Sequence, residues 1–126
     1  MERYLLAVPR RSSVALLPRF RVLLGERHLL GPGKADLLAA IDEQGSLAGA
    51  ARALDMSYMR AWQLLRAMNG DFRAPLVAVE RGGSARGGAQ LTTTGRRVLA
   101  LYREIEAEAL AASAPPWRRL RRLLRG

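Results

Sequence analysis

A mainly α fold with small β elements is what this sequence predicts. Three observations predict it. Apolar residues recur at helical spacing in four separate stretches, two pairs of short apolar runs read as hairpins, and glycines, prolines and capping residues fall between them. A chain of 126 residues, 49% of them hydrophobic, suits one domain with short extensions. The division expected is an N-terminal extension over 1–17, a folded unit over 18–112 and a basic Arg-rich tail over 113–126.

Each element follows from local chemistry. Phe20, Val22 and Leu24 alternate, Gly25-Glu26 supplies a turn, and Arg27 to Leu30 return as the second strand of an N-terminal β-hairpin. Gly31-Pro32-Gly33 breaks the strand. A helix is expected over 34–44, with Leu37, Leu38 and Ile41 on its apolar face and Gly45 as its terminating residue. Ser46 is placed to cap a second helix, on which Leu47, Ala50, Ala51 and Leu54 share one face. Asp55-Met56 makes a tight break, with Asp55 able to take a left-handed conformation. Ser57 caps a third helix with Tyr58, Ala61, Leu65, Met68 and Phe72 at helical spacing, stopped by Pro75. The strand LVAVE, the glycine-rich loop RGGSARGGA and the short strand QLT follow. Thr92 caps a long C-terminal helix. Its stripe is Val98, Leu101, Tyr102, Ile105 and Ala109, and its outer face is expected to carry Arg103, Glu104, Glu106 and Glu108. Ala114-Pro115-Pro116 is expected to close it.

The composition removes several function classes. Without cysteine there is no disulfide, thiolate metal site or cysteine nucleophile. The single histidine, His28, cannot build a triad or a multi-histidine metal site, and its setting reads as a surface or edge position. No catalytic residue, metal site or cofactor is expected, so the chain does not read as an enzyme. No apolar run is long enough to span a membrane, and Arg10 and Arg11 interrupt the apolar runs of the N-terminus, which does not read as a signal peptide.

Charge points elsewhere. The formal net charge is +10, and residues 57–97 hold seven Arg against Asp71 and Glu80. Such a patch attracts phosphate backbones and speeds encounter with them. The order helix, helix, helix, strand, loop, strand, helix is that of a winged helix-turn-helix with an N-terminal β-hairpin, a β-wing and a long C-terminal helix. Small residues such as Ala50 and Ala51 let two short helices cross closely. The third helix, 57–70, is then free to enter a major groove. Its outward face reads Met59, Arg60, Gln63, Arg66, Ala67 and Gly70, and Arg and Gln can pair bidentately with guanine and adenine edges. In the loop 81–88, Arg81 and Arg86 sit among glycines, as suits a wing tip against sugar-phosphate or minor groove. The same loop lacks the G-x-x-x-x-G-K-[ST] order of a nucleotide cradle.

A family resemblance sharpens this. Gly45-Ser46-x-x-x-Ala50-Ala51-x-x-Leu54-x-x-Ser57 is similar to the helix-turn-helix of LysR-type regulators. Ser57-Tyr58-Met59-Arg60-Ala61-Trp62 with Ala67-Met68-Asn69, Leu30-Gly31-Pro32-Gly33-Lys34, Ala40-Ile41-Asp42 and Leu91-Thr92-x-x-Gly95-Arg96-Arg97 resemble ModE-type, molybdate-responsive regulators over about residues 18–112. The resemblance implies a homodimer on an inverted-repeat operator in double-stranded DNA. It places Ser57, Tyr58, Met59 and Gln63 towards bases, Arg60 and Arg66 beside them, and Ser46 at a phosphate. ModE-type regulators also carry C-terminal molybdate-binding domains, for which these residues have no counterpart. A stand-alone regulator, a signal from a separate sensor protein and a lost sensor are all open on this reading, and the link to molybdenum metabolism rests on family association alone.

The function expected is sequence-specific transcription regulation in the cytoplasm, at the nucleoid. The alternative is a winged-helix protein-interaction or assembly module with incidental DNA affinity. For the tail, Leu120, Leu123 and Leu124 against five Arg suit added DNA affinity, an acidic partner, a membrane surface or a solvated end.

Overall fold

The computed structural model describes residues 13–80 and 87–125. In chain order the elements are β1 (Val22–Leu24), β2 (Arg27–Leu30), α1 (Pro32–Gln44), α2 (Leu47–Ala53), α3 (Tyr58–Asp71), β3 (Val77–Val79), β4 (Ala89–Leu91) and α4 (Thr93–Arg121). The predicted winged helix-turn-helix order is therefore present. β1 and β2 form one antiparallel hairpin, β3 and β4 another.

Proline and glycine act differently at 31–33 than expected. α1 begins at Pro32, so the Gly31-Pro32-Gly33 segment opens the helix instead of merely ending the strand. Proline suits that place because the first helical N–H has no intrahelical acceptor in any case. At the other end Gly45 takes φ 75° and returns its N–H to the Ile41 carbonyl, a left-handed cap that glycine adopts without strain.

Ser46 and Ser57 cap α2 and α3, accepting from the N–H groups of Gly49 at 2.9 Å and Arg60 at 3.0 Å. The turn between these helices runs through Asp55 at φ 57°, the positive-φ conformation foreseen for it. Leu37, Leu38, Ile41, Ala50, Ala61, Leu65 and Met68 fill the core between α1, α2 and α3, and Leu76, Val77, Ala89 and Leu91 extend it under the wing. Alanine at 50 and 51 keeps α2 close to its neighbours, since both are buried in full contact.

The wing is fixed at its base. Ala89 donates to the Gly45 carbonyl at 3.0 Å, and Ser46 bridges Gly88, so the α1–α2 turn is tied to the edge of the wing. Asn69 of α3 accepts from the N–H groups of Leu76 and Val77 and donates to the Val77 carbonyl. Thr92 donates to the Pro75 carbonyl and caps α4 through Gly95. Gly95 has to be glycine: a Cβ there would lie 2.0 Å from the Leu76 carbonyl oxygen.

α4 departs from expectation twice. It continues through Pro115 and Pro116 to Arg121, where closure at Ala114 was expected. Proline's fixed φ is compatible with a helix, and the carbonyls it leaves without donors belong to Ala111 and Ala112, which are exposed to water. At 1.5 Å per residue the helix is about 43 Å long.

The second departure is its charged face. Glu106 is 2% exposed and lies inside, and Arg103 turns inward with it. The Arg103 guanidinium reaches both Glu106 oxygens at 3.1 and 3.3 Å and Asp36 of α1 at 3.0 Å. Helical spacing in fact sets Glu106 across the helix from the exposed Glu104 and Glu108 and one turn from the buried Tyr102, so the expected outer face grouped residues that do not share one. Arg103, one turn earlier on the same helix, is the cation that satisfies it, and Asp36 of α1 shares that cation. Tyr102 is buried next to this group and donates its hydroxyl to the Phe20 carbonyl at 2.7 Å, holding the hairpin segment against α4.

Candidate nucleic-acid interface

The exposed side of α3 is built by what the buried side requires. Ala61, Leu65 and Met68 occupy the core at i, i+4 and i+7, so Met59, Gln63 and Arg66 are turned away from it. Tyr58 and Met59 are 56% and 60% exposed, and Arg60, Gln63 and Arg66 are exposed as well. Tyr58, one of the residues at core spacing, is thus surface, because the helix begins there and nothing covers its first turn. Trp62 is half-buried and lines a shallow groove between α3 and β3 with Arg66, Gly70 and Val79.

The single carboxylate of α3, Asp71, sits at its far end and pairs with Arg27 of β2 at 2.5 Å. The polar groups on the rest of its exposed surface, Arg60, Gln63 and Arg66, are cationic or hydrogen-bonding, which is the chemistry a polyanion with groove-edge donors and acceptors selects.

Six of the expected contact residues, Ser57, Tyr58, Met59, Arg60, Gln63 and Arg66, are therefore brought together on α3. Ser46 stands apart. It is half-buried at the α1–α2 turn, with its Oγ engaged by the Gly49 N–H and its backbone bridged to Gly88. Its hydroxyl hydrogen is still available for donation. Arg81 and Arg86 lie outside the described residues. At the described wing base the Glu80 N–H donates to the Gly88 carbonyl at 2.8 Å.

Other residues position this surface without showing in the apolar pattern. Asn69 fixes β3 against α3, and its place in Ala67-Met68-Asn69 was the only sequence signal for it. Lys34 donates to the His28 carbonyl at 2.8 Å and ties the hairpin to α1. Arg103 anchors α4 to α1 through Asp36. Burial raises the Asp36 carboxyl above its ordinary 3.8, although Arg103 opposes the rise. Desolvation works to lower the Arg103 guanidinium, yet its hydrogen bonds to Asp36 and Glu106 prevail and raise it. Burial also raises the Tyr102 phenol. His28 is exposed on β2, as its setting predicts. Among the described residues no helix is long and apolar enough to cross a membrane, and no group of three or more His, Asp or Glu could hold a metal ion.

Known proteins are similar to this chain in sequence. The chain is 45% identical over 78 residues to the molybdenum-pterin-binding protein MopB of Rhodobacter capsulatus, covering 62% of this chain and 29% of that one. It is 43% identical over 76 residues to the molybdenum transport protein ModE of Azotobacter vinelandii, covering 60% and 28%. With the transcriptional regulator ModE of Haemophilus influenzae the identity is 36% over 85 residues, 68% of this chain and 33% of that one. The chain thus spans about three-tenths of the length of these relatives. The ModE-type resemblance read from the recognition region is borne out by them. Residues 34–96, half of the chain, match the lysR family of bacterial regulatory helix-turn-helix proteins, and to that family this chain belongs.

Proposed function

We propose that the chain is a sequence-specific transcription regulator that binds an operator in double-stranded DNA as a dimer, with α3 in the major groove and the loop 81–88 along the backbone. The observation that carries it is the exposed face of α3, where Arg60, Gln63 and Arg66 stand clear of the core with no carboxylate among them. Ser57, Tyr58 and Met59 complete the base-facing end, and Ser46, Arg81 and Arg86 contact phosphates. The DNA-binding unit is 18–112, and the tail 113–126 adds cationic surface. The setting is the cytoplasm, at the nucleoid, with the regulatory signal coming from a separate sensor protein. The names of the relatives connect them to molybdenum, and the same metabolism is proposed for the genes under control here.

The dimer is supported by α4, where Leu101 and Ile105, one turn apart, are 48% and 50% exposed. A symmetric pairing of this face in two copies hides both. Sedimentation at micromolar concentration should give a dimer, and Ile105→Asp should give a monomer. A monomeric parent chain removes the dimer from the proposal.

The deciding experiment is selection of genomic fragments by the purified chain at near-physiological salt, followed by sequencing. One enriched inverted repeat supports the regulator. Binding without an enriched sequence, or none, turns the reading to a protein-interaction module.

A further inference from the structure

The N-terminal hairpin runs along α3 from end to end. Its tip is held at the C-terminal end of α3 by Arg27 and Asp71. Its base meets the other end, where a cleft of about 300 Å³ opens between Arg21 and His28 of the hairpin, the Gly31–Lys34 start of α1, and Arg60 with Leu64 of α3. Three cationic side chains from three elements, Arg21, Lys34 and Arg60, converge there, and no described residue lining the cleft carries a carboxylate.

Arg21 and Arg60 form no ion pair among the described residues. The Lys34 ammonium leans on the His28 carbonyl at 2.8 Å and the Leu29 carbonyl at 3.5 Å, which fixes its charge beside the cleft without neutralising it. Like charges held this close repel, and the arrangement gains most from an anion between them. The floor is permissive too. No side chain caps Gly31 and no acid lies in the first turn of α1, so the Gly33 and Lys34 N–H groups have no intrahelical acceptor. A Cβ at Gly33 would meet nothing within 4 Å, so the backbone there is open.

We infer that this cleft is a phosphate-oxyanion site, and that its occupant is a backbone phosphate of the bound DNA beside the groove that α3 enters. The hairpin then acts as a second backbone clamp, opposite the wing, with Arg21 reaching the phosphate from outside and Arg60 from the recognition helix. The source follows from Arg60: the anion that satisfies the cleft lies against the same helix turn that the operator-binding reading puts at the groove. The inference rests on that reading for its geometry, but it can be tested apart from it.

The test is the salt dependence of DNA binding by Arg21→Ala, on the selected fragment and on an unrelated duplex. Arg21 is exposed, so an unchanged thermal melt accompanies the variant. Expected is a loss of about three- to ten-fold, similar on both duplexes, with the slope of log K against log salt smaller by about 1. An unchanged slope and affinity overturn the DNA clamp. Inorganic phosphate titrated into the parent chain, read at the Gly33 and Lys34 amides by NMR, separates the two sources. Sub-millimolar saturation together with an unchanged Arg21→Ala slope assigns the cleft to a free anion and overturns the DNA clamp. If the parent chain selects no sequence yet Arg21→Ala flattens the slope on both duplexes, the regulator reading fails while the clamp stands.

Discussion

α3 and α4 place their polar residues differently. On α3 the polar residues Arg60, Gln63 and Arg66 face water while Ala61, Leu65 and Met68 face the core. On α4 the polar pair Arg103 and Glu106 faces the core while Leu101 and Ile105 face water. The same residue type therefore has two roles. Arg60 is spare charge awaiting a ligand, and Arg103 is a structural tie between two carboxylates. The exposed cation of α3 is available for recognition, whereas the exposed apolar pair of α4 is available for a second protein surface.

The largest expected effect is on stability at Arg103. Arg103→Leu leaves Asp36 and Glu106 buried beside each other without a cation, which should cost about 3 kcal/mol of folding free energy in urea denaturation. Replacing all three by leucine should recover most of the loss, because the desolvation penalty disappears with the charges. A single variant as stable as the parent chain would show that the tie does not hold the fold.

Asn69 comes next. Its amide satisfies three backbone groups of the strand that starts the wing. Asn69→Ala strands them in a half-buried place and should cost about 2 kcal/mol. DNA affinity should fall as well, since β3 loses its registration on α3. If denaturation shows the stability loss while binding is unaffected, α3 works without a fixed wing.

Arg60→Ala should do the reverse of Arg103→Leu. Its side chain makes no ion pair among the described residues, so denaturation should shift by about 0.5 kcal/mol or less. Operator binding, measured by anisotropy, should weaken by about 1–3 kcal/mol. Full affinity in the folded variant would take Arg60 out of the interface and leave Gln63 and Arg66 as its polar centre.

The difference between the two helices also explains what the sequence could show. The caps Ser46, Ser57 and Thr92 and the left-handed Gly45 and Asp55 are local events, decided within a few residues, and all were legible. So was the exposed face of α3, because its core side is plainly apolar. On α4, the helical period reports that Glu106 lies one turn from Tyr102 and Arg103, but Asp36, which shares the Arg103 guanidinium, lies 67 positions before it, and no helical period reports that contact. Pro115 and Pro116 misled for a related reason. A proline rule describes the average helix interior, while here the orphaned carbonyls are open to water. The cleft at Arg21 and Arg60 is likewise a product of how the hairpin lies on α3, which spacing in the chain does not encode.

The smallest effect concerns how the buried cluster titrates. Burial raises the Asp36 carboxyl above 3.8 despite Arg103, so between 3.8 and the raised value the folded chain binds this proton more tightly than the unfolded one. The resulting stabilisation is fully present below 3.8 and is lost as the pH rises through the raised value. Asp36→Asn cannot titrate and lacks this slope. The stability of Asp36→Asn minus that of the parent chain should therefore increase as the pH rises through that window, then level off. Urea denaturation of both chains in steps from about pH 3 to about pH 7 reads the difference directly, with other titrating groups largely cancelling. A difference that stays flat would mean that Arg103 offsets the burial of Asp36 completely. A difference of opposite slope would mean that it overcompensates, making the tie a net source of stability at neutral pH and raising the loss expected from Arg103→Leu.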